Sequence, residues 1–150
     1  MNEHGFIKAV HRHLPAELYR WKIHDTYTGG VPDAYYCGPA GSLWVEYKYI
    51  KLPKRESTIV TYCTTEQQRI WLTKMQNYGQ LTTLIIGWGK HAALIDPSLI
   101  NSPLNSGELQ RRGITFKEIA KNIETTCMSG GYIHGNPAKS GNKSPKDLGK

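Results

Sequence analysis

Apolar residues recur at Phe6, Ile7, Val10 and Leu14, at spacings of three, four and seven that predict an amphipathic helix over 3–14. Asn2 can cap it and Pro15 ends or bends it. Glu3 lies on the same stripe, one turn before Phe6 and Ile7. The pattern then changes. LYRWKIHDTYT, residues 18–28, is rich in aromatic and β-branched residues and predicts a strand, broken by Gly29 and Gly30. Residues 33–37 and 43–50 predict two more strands, joined by the turn GPAGS. A basic loop, KLPKRES, covers 51–57, and STIVTY reads as a short extended piece.

Helical spacing returns after Thr64 or Thr65, either of which can cap a second helix running to about Tyr78. Glu66 in its first turn complements the helix dipole, and Gly79 stops it. LTTLIIGWG predicts an apolar strand with HAALIDP as its hairpin partner. TFKEIAKNIE, 115–124, predicts a third helix with Phe116, Ile119, Ala120 and Ile123 inward. From Met128 the chain turns to Gly, Ser, Asn, Pro and Lys, so a domain is expected over 1–127 and a flexible basic tail over 128–150. The element order predicts an α/β domain whose mixed sheet of four to five strands is flanked by helices.

Composition narrows the partners. With 39% hydrophobic and 21% charged residues, the 150-residue chain can bury one real core. A net charge of +7 points to a polyanion, most commonly nucleic acid. No apolar run approaches the roughly 18 residues of a membrane span, and no basic helix carries a bulky apolar face, so a membrane is not the expected partner. The start, MNEHGFIKAV, has an early acid and no continuous apolar stretch, unlike a signal peptide. Three widely spaced cysteines without a CxxC argue against a disulfide framework and for the reducing cytoplasm. The six histidines read as surface residues, since His11 and His13 fall on different helix faces and do not form a zinc pair.

The chemistry gathers in GGVPDAYYCGPAGSLWVEYKYI, 29–50. Residues two apart in a strand share a face, so Trp44, Glu46 and Lys48 point one way and Val45, Tyr47 and Tyr49 the other. Asp33 opens the partner strand, and hairpin pairing brings it toward Glu46. Two neighbouring carboxylates cannot both ionise without a counter-charge. A hard divalent cation such as Mg²⁺ meets that need, and Lys48 beside it can hold a water or a phosphate oxygen. Taken singly, Asp33 could be a turn residue, and Glu46 with Lys48 an exposed pair on an edge strand.

Pro32-Asp33 followed by Glu46-Tyr47-Lys48 resembles the PD-(D/E)xK nuclease superfamily. GGVPD, the tight hairpin and TTEQQRIWLTKMQNYGQ are similar to its VRR-NUC branch, a virus-type replication and repair nuclease related to archaeal Holliday-junction resolvases. The likeness spans roughly 3–96. It implies a restriction-endonuclease-like core with a four-stranded mixed sheet and metal-dependent phosphodiester cleavage. It also implies Asp33, Glu46 and the main-chain carbonyl of Tyr47 as metal ligands, with Lys48 assisting the attacking water. Glu3 would be a further acid and metal ligand, and Gln68 a catalytic glutamine, with Gln67 the alternative. Tyr47 is bulkier than the small or aliphatic residue frequent between the two charges. Small size and family likeness suggest a phage or mobile element, placing the protein in the host cytoplasm.

Lys51, Lys54 and Arg55 of the basic loop, and Arg69 and Lys74 on the exposed side of the second helix, are the expected DNA phosphate contacts beside Lys48. The expected activity is a Mg²⁺-dependent DNA endonuclease, Mn²⁺ substituting, selective for branched or flapped DNA, with no small-molecule cofactor. A homodimer is expected to form through LTTLIIGWG or the third helix. Two alternatives are a non-catalytic nucleic-acid-binding module on the same fold, and an RNA-cleaving enzyme using His24 and His91 as acid and base.

Overall fold

Asn2 begins the first helix by accepting the Gly5 N–H at 2.9 Å, which sets Phe6, Ile7 and Val10 facing inward on α1 (Glu3–His11). The helix stops short of the predicted residue 14. Its last turns are closed by Arg20, whose guanidinium donates to the carbonyls of His11, Leu14 and Pro15 at 3.0, 3.4 and 3.1 Å. Leu14 stays buried beyond the helix end, which keeps the apolar stripe intact. The coordinates, a computed structural model, describe residues 1–25, 27–131 and 133. Most of the expected basic tail therefore lies outside the described residues.

Strands β1 (Tyr19–Lys22), β2 (Ala34–Gly38) and β3 (Gly41–Tyr49) form the predicted antiparallel meander. β1 is much shorter than 18–28. Past Ile23, Asp25 accepts the N–H groups of Tyr27 and Thr28 at 2.8 and 3.1 Å, and that turn draws the chain off the sheet. Helix α2 (Glu66–Asn77) carries the chain over to β4 (Thr82–Trp88), which runs parallel to β3. β5 (His91–Ile95) returns as the hairpin partner of β4.

Further elements were not anticipated: a 3-10 turn (Pro97–Leu99), α3 (Ser106–Arg111), β6 (Ile114–Thr115), which leads into α4 (Phe116–Glu124), and a π-helical turn after it, Thr125–Ser129. The mixed sheet therefore has six strands in the order β1-β2-β3-β4-β5-β6, against the four to five expected.

Each side of the sheet buries its own cluster. Tyr36, Val45, Tyr47 and Ile85 pack with Phe6 and Val10 of α1 and Ile119 and Ile123 of α4. Leu84, Ile86, Ala93 and Ile95 pack on the other side with Leu72 of α2 and Leu109 of α3. β4 is buried from Thr82 to Gly87, which explains its apolar run. It is an interior strand rather than a surface for a second copy, as its place between β3 and β5 requires. The apolar face of α4 is likewise spent in the core, so only its polar face remains open.

Candidate active site

β2 pairs with β3 only as far as Ala34↔Val45. Beyond that point the Tyr47 N–H has lost its strand partner, and Oδ2 of Asp33 accepts it at 2.8 Å. The main-chain carbonyl of Asp33 takes the Ile23 N–H at 2.8 Å, so this acid is held from both sides. Gly29 and Gly30 bring the chain to it along the start of α2. Gly30 adopts φ +87°, and a Cβ there would run into the Gln67 carbonyl. A Cβ on Gly29 would meet the Gln67 side chain. Gln67 therefore covers the glycine loop, whereas Gln68 faces the acids.

Thr65 accepts the Gln68 N–H at 3.1 Å, and Oε1 of Gln68 accepts the Thr65 N–H at 2.9 Å, a reciprocal cap at the start of α2. That cap fixes the amide, whose Nε2 donates to Oε2 of Glu46 at 2.9 Å. Lys48 Nζ lies 3.2 Å from the same oxygen. Glu46 is 1% exposed, and its Oε1 has no hydrogen-bond partner among the described residues. The Asp33 and Glu46 carboxyls stand close enough to act on each other's charge.

Burial, then repulsion from Asp33, pushes the Glu46 carboxyl up to about 8, against the pull of Lys48. Burial also raises Asp33, opposed by the Tyr47 N–H and Lys48. Glu3, at the first position of α1, is raised by burial and by Asp33. It belongs to the same electrostatic group. Among the described residues, no three His, Cys, Asp or Glu side chains are placed to hold a metal ion by themselves.

One cation of the site was not foreseen. Lys22, opposite Ala34 on β1, weakly opposes the rise of both Glu3 and Asp33, and its Nζ lies 2.7 Å from Nδ1 of His4. Strand pairing is the signal that could have found it, since the residue beside Asp33's main-chain partner must lie near that acid.

Tyr47 resolves its own bulk by turning to the opposite face. Its hydroxyl lies 2.6 Å from that of Tyr36, which lies 2.6 Å from Nε2 of His11. His11 is therefore not the surface histidine expected. Burial, with Arg20 and Lys22 nearby, lowers it to about 4. His24 follows β1 and His91 lies in β5, some four strand spacings or roughly 19 Å apart across the sheet, too far for an acid–base pair.

The expected phosphate contacts are spread out. Lys51, Lys54 and Arg55 are exposed in the loop after β3, and Lys74 is exposed on the outer face of α2. Arg69 is half-buried and donates to the Thr64 carbonyl at 2.9 Å.

No protein-family model and no curated protein matches the chain. Among solved structures, it is similar to Hjc of Archaeoglobus fulgidus, a Holliday junction resolvase from an archaeal hyperthermophile. The TM-score is 0.52 at 10% identity, covering 79% of this chain and 96% of that one. A likeness at that identity speaks to architecture. The chain has a restriction-endonuclease-like α/β fold, in which a six-stranded mixed sheet presents Asp33, Glu46, Lys48 and Gln68 together.

Proposed function

We propose that the chain is a divalent-metal-dependent endonuclease that hydrolyses DNA phosphodiester bonds, with branched, Holliday-junction-like or flapped DNA as substrate. The observation that carries this reading is the buried acid pair, Asp33 beside Glu46, with Oε1 of Glu46 lacking any hydrogen-bond partner among the described residues. A buried carboxyl oxygen without a partner is costly, and once the group ionises it invites a cation. The VRR-NUC-like motif order and the resolvase-like architecture support the same conclusion.

The donor set suits a hard cation. Asp33, Glu46 and the Tyr47 carbonyl would hold Mg²⁺, or Mn²⁺ in its place, with Glu3 as a further ligand. Two carboxylates with water and phosphate are a common magnesium environment. Bound there, the ion supplies charge neutralisation at the phosphate and a more acidic water.

The chain's own part is positional. The Tyr47 N–H orients Asp33, and Gln68 orients Glu46. Glu46 must give up its proton before it can act as a ligand, and Lys48 at 3.2 Å favours that loss. The Lys48 ammonium can then donate to the attacking water or to a non-bridging phosphate oxygen. Lys51, Lys54, Arg55, Arg69 and Lys74 position the duplex through phosphates without reading sequence. A homodimer presenting two such sites suits paired cuts at a branch. A role in viral replication, recombination or repair, in the cytoplasm of a host cell, fits the motif resemblance.

The separation of His24 from His91 disfavours histidine-based RNA cleavage. The test is a panel of branched, linear and single-stranded DNA and RNA with Mg²⁺, Mn²⁺ or chelator. Metal-dependent cutting of branched DNA that disappears in Asp33→Asn and Glu46→Gln, with binding retained, supports the reading. Binding without cutting under every condition leaves the non-catalytic module, and cutting in chelator refutes the metal.

A further inference from the structure

A file of aromatic rings crosses the same side of the sheet as the acids. Tyr19 of β1 lies 6.4 Å from Tyr35 of β2 between ring centroids, Tyr35 lies 4.5 Å from Trp44 of β3, and Trp44 lies 5.1 Å from Trp71 of α2. Trp21 joins the file as the register partner of Tyr35, which is the register partner of Trp44. α2 packs over β4, while Tyr19 and Trp21 remain 59% and 48% exposed.

Three features point to one occupant. Tyr35 is two residues from Asp33 and Trp44 two from Glu46, so the file runs about 7 Å from the acid pair. That is the reach of one nucleotide along an extended strand. The rings meet their neighbours at 68°, 48° and 68°, so they do not stack face to face, and π faces are left over. The residues are Tyr and Trp on a chain of net charge +7, which suits flat bases on an anionic backbone better than an aliphatic protein surface.

We propose that this file is a stacking platform for unpaired nucleotides adjoining the scissile phosphate, so that the chain selects DNA with a single-stranded arm or an opened branch point. The inference rests on the nuclease reading for its substrate and supplies a reason for structure selectivity. Bases paired within a duplex cannot offer their faces to the file. Bases splayed at a flap or an opened junction can.

The test uses the full chain in chelator, so binding is read apart from cutting. Flapped DNA is compared with the same DNA carrying three abasic nucleotides in the arm next to the branch, which keeps the phosphates and removes the bases. The native chain is expected to bind the abasic arm about tenfold more weakly. Trp21→Ala and Tyr35→Ala are expected to lose a similar factor on the intact arm and to ignore the abasic change. Both sites are at least partly exposed, and the abasic comparison on the native chain needs no variant at all. Native binding indifferent to the abasic nucleotides overturns the proposal. So does a native dimer that Trp21→Ala dissociates while abasic sensitivity stays unchanged, since the file would then be a self-association face. If abasic sensitivity is present but no substrate is cut with any metal, the platform stands and the nuclease reading falls.

Discussion

Nε2 of Gln68 lies 2.9 Å from Oε2 of Glu46, while Oε1 of the same amide accepts the Thr65 N–H at 2.9 Å. One side chain thus closes the cap of α2 and orients a buried acid across the sheet. The start of the helix and the geometry of the acid pair are therefore coupled.

Gln68→Ala is expected to cost about 1–2 kcal/mol, from the lost cap and from a buried Glu46 oxygen deprived of its amide donor. Urea unfolding at pH 7 measures it. Gln67→Ala, at an exposed residue, is expected to cost less than half as much.

Glu46 sets a pH slope on the metal-free chain. Its folded carboxyl titrates near 8, well above an ordinary glutamate, so the unfolded chain loses that proton first as pH rises. Its contribution to stability is present below about pH 4.5 and is lost progressively as pH rises through 8. The loss is on the order of 5 kcal/mol. Glu46→Gln, which cannot ionise, is expected to flatten this part of the curve and to be more stable than the native chain at pH 9 in chelator. Chemical unfolding from pH 4 to pH 9 reads the difference.

His11 acts in the opposite sense. Its pKa is lowered to about 4, so the unfolded chain takes up a proton first on acidification. Stability from this group is lost as pH falls from about 6.5 toward 4. Between about pH 4.5 and 6.5 this loss runs against the gain from Glu46, so the two together predict a plateau there and a decline above it. His11→Asn is expected to unmask the Glu46 slope, so that stability rises as pH falls through this range, as followed by thermal unfolding at pH 4, 5, 6 and 7.

Gly30→Ala is expected to destabilise by about 2 kcal/mol or more, because φ +87° is strained for alanine and its Cβ would meet the Gln67 carbonyl. Displacing that loop moves Asp33 with it, so metal uptake should fall alongside the melting temperature. Gly79→Ala makes the useful comparison. It shares φ +87° but has nothing within 4 Å, and should cost only the backbone strain.

What the sequence made legible follows from signal length. α1, α2 and α4 carry an apolar stripe and a capping side chain each, and all three formed within a few residues of expectation. α3 has one fully buried apolar side chain, Leu109, and β6 has two residues, too few for either to show a period. β1 was overread because its aromatic run continues past the Asp25 turn that ends pairing. The acid pair was legible because strand alternation and one hairpin sufficed to bring Asp33 toward Glu46. The chain His11–Tyr36–Tyr47 and the approach of Lys22 to Asp33 depend on packing between elements far apart in sequence, which no local pattern carries.

The most direct measurement loads the native chain and Asp33→Asn separately onto a labelled four-way junction in chelator, adds excess Mg²⁺, and resolves the strands on a denaturing gel beside a matched linear duplex. The native complex should cut the junction strands only after Mg²⁺ is added, with the duplex largely spared and the Asp33→Asn complex bound but intact. Equal cutting before and after Mg²⁺, or equal cutting by Asp33→Asn, would contradict the metal-holding acid pair on which the proposed activity depends.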